Sequence, residues 1–214
     1  MTALFVTGTG TDIGKTFVTA RLIQQARSRG HAVHALKPLL SGFDGSAPEG
    51  CDSAVLLAAL GVQPSLENIN AITPWRYAQP LAPNMAARAE GTSVDMDGVL
   101  DFCRAGIARA EANRETLYIE GVGGIMSPVA DTATNLDWIA ALGIPALLVA
   151  GTYLGAISHT LTAVAAMQTG GVALDEIVLS ESQGEQVGLA ETKGELERFL
   201  PNVKVGEVER ATIR

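Results

Sequence analysis

The sequence predicts an α/β fold: a mostly parallel sheet with helices on both faces. Apolar runs of strand length alternate with stretches of helical periodicity along the chain, and no hairpin signal joins one strand to the next. The first strand closes on a glycine-rich turn that feeds a helix, the opening of a strand-loop-helix unit. The run "TLYIEG" (116–121) is apolar on both sides, as a strand covered by two layers must be. Right-handed crossovers then order such units into one sheet.

The elements follow in order. Residues 3–8, "ALFVTG", read as a buried strand. From Lys15 to Arg29, Val18, Leu22, Ile23 and Ala26 recur at helical spacing, and Gly30 supplies a stop. "HAVHALKP" (31–38) is a second strand ended by Pro38, residues 40–51 have loop composition, and "DSAVLLAALG" (52–61) is a short helix. Prolines at 64, 74, 80 and 83 break up the next stretch, which is expected to be irregular. Val99, Leu100, Cys103 and Ile107 mark a helix ahead of the third strand at 116–121. "NLDWIAALG" (135–143) is a helix that leads through Pro145 into the strand "ALLVAG" (146–151). A helix at 156–169, a strand at 174–180 and a helix near 188–200 complete the alternation. With no internal repeat or linker, residues 1–214 are expected to form one domain.

Composition narrows the function classes. With 47% hydrophobic and 18% charged residues the chain should fold, and a net charge of -8 sets its field against nucleic-acid phosphates. No nucleic-acid partner is expected. Cys51 and Cys103 have neither metal-ligand spacing nor a disulfide framework, which suits a reducing cytosol. No basic, apolar export signal opens the sequence, and no apolar run reaches about 18 residues, so a cytoplasmic protein without membrane contact is expected.

Ligands of such sheets bind beyond the carboxyl ends of the strands, which directs attention to "GTGTDIGKT", "KPLLSG", "EGVGG" and "GTYLG". The first ends in Gly14-Lys15-Thr16 like a phosphate loop, yet the common G-x-x-x-x-G-K-[ST] spacing requires glycine at position 9, where Thr9 stands between Gly8 and Gly10. The loop is therefore one peptide longer than the common form. Its position between strand and helix is the context that phosphate binding needs: backbone N–H groups of Gly10, Thr11, Asp12, Ile13 and Gly14 and the helix dipole face an anion. Lys15 brings a mobile charge to phosphate oxygens, and the Thr16 hydroxyl suits Mg2+. Thr16, Asp52 and Glu120 together offer one hydroxyl and two carboxylates, the hard oxygen set that Mg2+ prefers. Asp52 is equally suited to cap the helix it opens, and Glu120 ends an apolar strand where an unpartnered carboxylate is costly, a cost that a metal would remove. Lys37 reads either as a surface lysine ending a strand or as a cation at the site.

The pattern G-T-x-T-x-I/V-G-K-T resembles the phosphate loop of the dethiobiotin synthetase family, within the P-loop NTPases. The likeness continues in "LKPLLSG" (36–42), "CDSAVL" (51–56), "QPLAPNMAARAEG" (79–91), "IEGVGGIMSPVAD" (119–131) and "YLGAISHTLT" (153–162), in the family's order. It implies ATP- and Mg2+-dependent closure of a cyclic urea from 7,8-diaminononanoate and CO2, giving dethiobiotin, ADP and phosphate by way of a carbamate and a carbamic-phosphoric anhydride. It further implies that Lys15 and Lys37 neutralise the reacting anions and that Thr11 and Ser41 hydrogen-bond the carbamate. Asp12, Glu120 and Gly123 would lie on the nucleotide side, while Tyr153, Leu154 and Gly155 would hold the substrate's distal carboxylate, partly across a homodimer interface. Gly10 stands where the family commonly has Asp, Gln79 where it has Glu, Asn84 where it has His, and Ser158 where it has Asn. The Asn that usually helps to read adenine is missing from "SESQG" after the last long strand, and "GEVERATIR" lacks the usual proline-rich ending. A partition-type nucleotide switch would be expected to carry a second lysine early in the loop, where this chain has Gly10.

Overall fold

The computed structural model describes residues 3–182 and 187–208. In chain order the elements are β1 (Ala3–Gly8), α1 (Lys15–Ser28), β2 (Val33–Leu36), β3 (Leu39–Ser41), a 3₁₀ turn at Pro48–Gly50, α2 (Asp52–Leu60), α3 (Leu66–Ile72), β4 (Trp75–Tyr77), α4 (Pro83–Ala89) and α5 (Met96–Asn113). There follow β5 (Thr116–Glu120), α6 (Asn135–Leu142), β6 (Ala146–Ala150), α7 (Ala156–Thr169), β7 (Leu174–Ser180), α8 (Leu189–Phe199) and β8 (Val205–Val208).

Six strands form a parallel sheet in the order β2-β5-β1-β6-β7-β8. β1 is buried along its whole length, as the central strand of a two-faced sheet must be. The chain leaves β1 toward β2 and later leaves β5 toward β6, so the direction of winding reverses around β1 and β5. Right-handed crossovers then put α1 on one face and α5 to α8 on the other. A reversal of this kind opens a crevice at the carboxyl edge of the sheet. Behind it, Phe5 meets Trp138 of α6 edge to face, with ring centroids 5.0 Å apart. Burying a side chain of that size contributes about 1.5–3 kcal/mol.

The stretch expected to be irregular is ordered. It contains α3, β4 and α4, and the prolines start these elements more than they interrupt them. Pro83 occupies the first turn of α4, where a helix needs no N–H from it. Pro64 precedes Ser65, whose side chain caps α3 by accepting from the Asn68 N–H at 3.2 Å. β3 and β4 pair in parallel as a second small sheet, with Ser41 opposite Tyr77, inside segments whose composition reads as loop. β8 is a further strand that the periodicity missed, and β2 is shorter than the apolar run around it. Asp52 is the first residue of α2 and does not cap it; Cys51 takes the capping position without a side-chain bond.

Candidate active site

β1 ends at Gly8 and α1 begins at Lys15, so the glycine loop turns the chain back within six residues. Gly14 makes the turn with φ 96, a left-handed conformation that a side chain would strain. No side chain caps α1, which leaves its first N–H groups facing the crevice. Gly155 caps α7 in the same way, again with φ 96, at the end of β6, the strand paired with β1. Two helix N-termini of matching construction therefore open at the carboxyl edge.

Register brings the charged groups together. Leu36 of β2 pairs with Ile119 of β5, so the next residues, Lys37 and Glu120, come level where the strands end. Val6 of β1 pairs with Glu120, and α1 returns over this face with Thr16 and Thr19 three apart on one side of the helix. Glu120 is fully buried and both of its oxygens are bonded. Oε1 accepts from Thr16 Oγ1 at 2.7 Å and Lys37 Nζ at 2.8 Å, while Oε2 lies 2.7 Å from Thr19 Oγ1. Lys37, also buried, donates to the Gly121 carbonyl at 3.1 Å and pairs with Asp52 Oδ2 at 3.2 Å. A lysine and two hydroxyls thus offset the desolvation cost foreseen for Glu120.

The electrostatics follow from this packing. Burial alone would lower the Lys37 pKa, but the Glu120 and Asp52 carboxylates beside it outweigh burial and raise it. Burial would raise the Asp52 carboxyl, and Lys37 with the Thr16 hydroxyl brings it below the ordinary value. Among the described residues Lys15 has no carboxylate at bonding distance; it folds back onto the Gly10 carbonyl at 3.2 Å. Burial first, then the Lys37 charge, pushes its ammonium down to about 8. The site thus holds one neutralised lysine and one whose charge is poorly compensated, which favours an incoming anion.

A cavity of about 860 Å³ opens over these groups. Thr11, Asp12, Gly14, Lys15, Thr16, Lys37, Ser41, Asp52 and Gly123 line it, with Phe17, Leu40, Val122 and the segment from Pro80 to Pro83 as its apolar wall. The small β3–β4 sheet positions that wall: the Gly42 N–H donates to the Gln79 carbonyl at 3.0 Å, which ties "LLSG" to "QPLAP". Ser41 Oγ and the nearby-segment atom Asn84 Oδ1 are buried polar atoms without a hydrogen-bond partner among the described residues.

The predicted residues thus divide. Lys15, Lys37, Thr11, Ser41, Thr16, Asp52, Asp12, Gly14 and Gly123 meet at one cavity, with Glu120 directly beneath. Gly10 lies beside that cavity, and the Ile13 side chain turns inward under Gly8, so each would present only backbone to a nucleotide. Tyr153, Leu154 and Gly155 do not line the cavity in one chain; Tyr153 Oη bonds His159 Nδ1 at 2.8 Å, and Leu154 is 87% exposed. The stretch "SESQG" is described only through Ser182, and residues 209–214 of "GEVERATIR" likewise lie outside the described residues. The chemistry of Thr16, Asp52 and Glu120 fits Mg2+: one hydroxyl and two carboxylates, all hard oxygen donors, meet at the phosphate-loop end of the cavity. Thr16 is bonded to Glu120, and both carboxylates are bonded to Lys37.

Two supporting residues were missed from the sequence. Thr19 shares Glu120, as given above. Asn135, fully buried at the start of α6, donates through Nδ2 to the Val122 carbonyl at 2.5 Å and the Gly124 carbonyl at 2.7 Å, holding the loop after β5 in shape. In a single sequence the only signal for it is a polar residue opening an apolar helix, which reads equally as a solvated start.

Residues 2–212 match the model of a family described as an AAA domain. Among curated relatives, the ATP-dependent dethiobiotin synthetase of Caulobacter vibrioides is 46% identical over 211 residues, covering 99% of this chain and 94% of that protein. The synthetase of Methylobacterium nodulans is 48% identical over 187 residues, with 86% and 83% covered. Solved structures of similar fold include the MinC:MinD cell division protein complex of Aquifex aeolicus, at TM-score 0.55 and 12% identity over 99% of this chain and 83% of that one. A ParA family ATPase from Chlorobium tepidum aligns with TM-score 0.52 and 11% identity, covering 99% and 86%. At such low identity these structures share the fold alone, whereas the synthetases match through nearly the whole sequence, and the chain belongs to the ATP-dependent dethiobiotin synthetase family.

Proposed function

We propose that this protein catalyses the ATP-dependent closure of 7,8-diaminononanoate and CO2 to dethiobiotin, ADP and phosphate, in biotin biosynthesis and in the cytosol, with the whole reaction carried by one domain. The observation that carries the reading is the meeting of Lys15, Lys37 and Ser41 with Thr16, Asp52 and Glu120 around one cavity. A carbamate formed on one amine of the substrate attacks the γ-phosphate of ATP, the second amine closes on the activated carbonyl, and phosphate leaves. Little of this needs covalent help from the protein; it needs two anions held together and their charge neutralised.

Lys15, at the turn into α1, reaches the phosphates and the carbamate, and Lys37 faces the same space from β2. The Ser41 hydroxyl, which has no hydrogen-bond partner among the described residues, and the Thr11 hydroxyl line the same cavity and suit bonding to the carbamate. The apolar wall from Leu40 and Leu81 suits the aliphatic chain of the diamine. Mg2+, held by Thr16, Asp52 and Glu120, would neutralise phosphate charge. The N-terminus of α7 with Tyr153, Leu154 and Gly155 suits the distal carboxylate. Because these three lie off the cavity of their own chain, the reading includes a homodimer in which a second copy presents them.

The test is phosphate release from ATP, Mg2+ and bicarbonate with and without 7,8-diaminononanoate, while dethiobiotin is followed by mass. Release that depends on the diamine, with product in equal amount, is expected. Lys37→Ala should lower it about 100- to 1000-fold, the usual loss for one charge-stabilising donor. Hydrolysis indifferent to the diamine would overturn the reading.

A further inference from the structure

Thr19 stands one turn beyond Lys15 on α1, fully buried, in a position that the phosphate-loop pattern does not include. Its Oγ1 lies 2.7 Å from Glu120 Oε2 and 2.9 Å from the Lys15 carbonyl. A threonine hydroxyl has one proton to give, and a bond to an ionised carboxylate is the stronger of the two. The carbonyl already takes part in the helix ladder. Glu120 Oε2 therefore receives the proton, and the carboxylate is anchored from the interior of α1.

That anchor decides where the other oxygen points. A glutamate bonded only through Oε1 could still swing about its terminal torsion, which is broad. The Thr19 bond at Oε2 supplies the second point of attachment, and Oε1 is then kept toward Thr16, at 2.7 Å, and Lys37, at 2.8 Å. A hydroxyl that offers a lone pair to a metal keeps its proton, so Thr16 serves Oε1 and the ligand side. Thr19, buried away from the cavity, fixes Oε2 independently of what Thr16 contacts.

We propose that Thr19 is a positioning residue, which clamps Oε2 of Glu120 from within α1 and so directs Oε1 to the metal-nucleotide side of the cavity. The inference rests on the reading that Mg2+ and nucleotide occupy this cavity. It concerns neither Lys15 nor the motif's own threonine, and it separates two threonines of one helix face: Thr16 touches the ligand, and Thr19 acts through Glu120.

The experiment compares wild type, Thr19→Val and Thr19→Ser. Valine keeps the shape and removes the hydroxyl; serine keeps the hydroxyl. ADP is titrated by calorimetry in EDTA and again in excess MgCl2, and kcat and KM are measured with the diamine. For Thr19→Val the gain in ADP affinity brought by Mg2+ should fall about 10- to 100-fold, the usual loss when a group orienting a metal ligand is removed. ADP binding in EDTA should stay within about twofold of wild type, kcat should fall while KM for the diamine holds, and serine should recover most of both losses. A purely structural role would weaken ADP binding equally with and without Mg2+. That outcome, or wild-type behaviour of Thr19→Val, or no recovery with serine, overturns the proposal. Should Thr19→Val fail to fold, Thr19→Ala makes the same comparison in a smaller side chain. A wild type whose ADP affinity gains nothing from Mg2+ overturns this inference together with the metal reading. Diamine-independent turnover with an intact Mg2+ gain overturns only the proposed reaction.

Discussion

At the scale of single residues, two lysines of one site have opposite fates because their neighbours differ. Lys37 sits between two carboxylates and its pKa is raised, so its stabilising contribution is complete below the ordinary 10.5 and is lost only as pH climbs through its higher folded value. Lys15 is pushed down to about 8, burial first and the Lys37 charge second. Between about 8 and the ordinary 10.5 the unfolded chain binds a proton that the folded chain has released, so the penalty from Lys15 is full below about 8 and fades as pH rises to 10.5. A phosphate beside the ammonium should reverse this. At pH about 8.5, where an ammonium of pKa about 8 is already about one quarter protonated, ADP binding is expected to take up about three quarters of a proton, read by calorimetry in buffers of different ionisation enthalpy. Lys15→Met should abolish the uptake. Absence of uptake in the wild type would mean that the ligand does not reach Lys15.

Among the elements, the loops after β1 and β5 control one another's shape. Gly124 lies so close to the phosphate loop that a methyl group there would meet Gly10 N and Thr9 O at 3.1 Å, both backbone atoms that cannot swing aside. Asn135 and Ser127 hold the same loop from the other side, the Gly124 N–H donating to Ser127 Oγ at 2.8 Å. Gly124→Ala should therefore push the two loops apart, weakening ADP binding about tenfold and costing about 1–3 kcal/mol of stability for the overpacking. Gly50→Ala is the control, because nothing lies within 4 Å of its added carbon. Its urea midpoint should move by less than about 0.5 kcal/mol equivalent, as for an ordinary surface substitution. Equal effects from the two variants would show that contact with the phosphate loop is not what matters.

For the whole molecule, a net charge of -8 repels anionic ligands at a distance, and attraction is left to a few cations focused in one crevice. Leu154, at 87% exposure in the loop before α7, belongs to the segment that the proposed homodimer would present to a second copy. Leu154→Asp should leave the melting temperature of the chain nearly unchanged, since little is packed there. Sedimentation should then show a lighter species at micromolar concentration, with KM for the diamine raised about tenfold or more. Unchanged mass and KM would remove the second copy from the site. The described residues contain no helix long and apolar enough to cross a membrane.

By itself the sequence determined the alternation that builds the parallel sheet and the places where its chemistry emerges. Those signals are local: a glycine loop between an apolar run and a helical period, a lysine before a proline, a carboxylate before a glycine. It also pointed to the family, through motifs that keep their order along the chain. Tertiary structure decided the rest, because the deciding contacts join residues far apart in sequence. Glu120 is satisfied by Lys37, 83 positions away, and by Thr19, 101 positions away. No local pattern announces which lysine and which hydroxyls will meet this buried carboxylate. β3 and β4 are too short to show a period and exist because they pair with each other. The prolines at 64 and 83 read as breakers locally and act as helix starts, since only the packed chain fixes on which side of each the helix forms. Register, in the end, brings Lys37 level with Glu120, and it is set by the burial of both faces of the sheet, which one residue of slip would turn inside out.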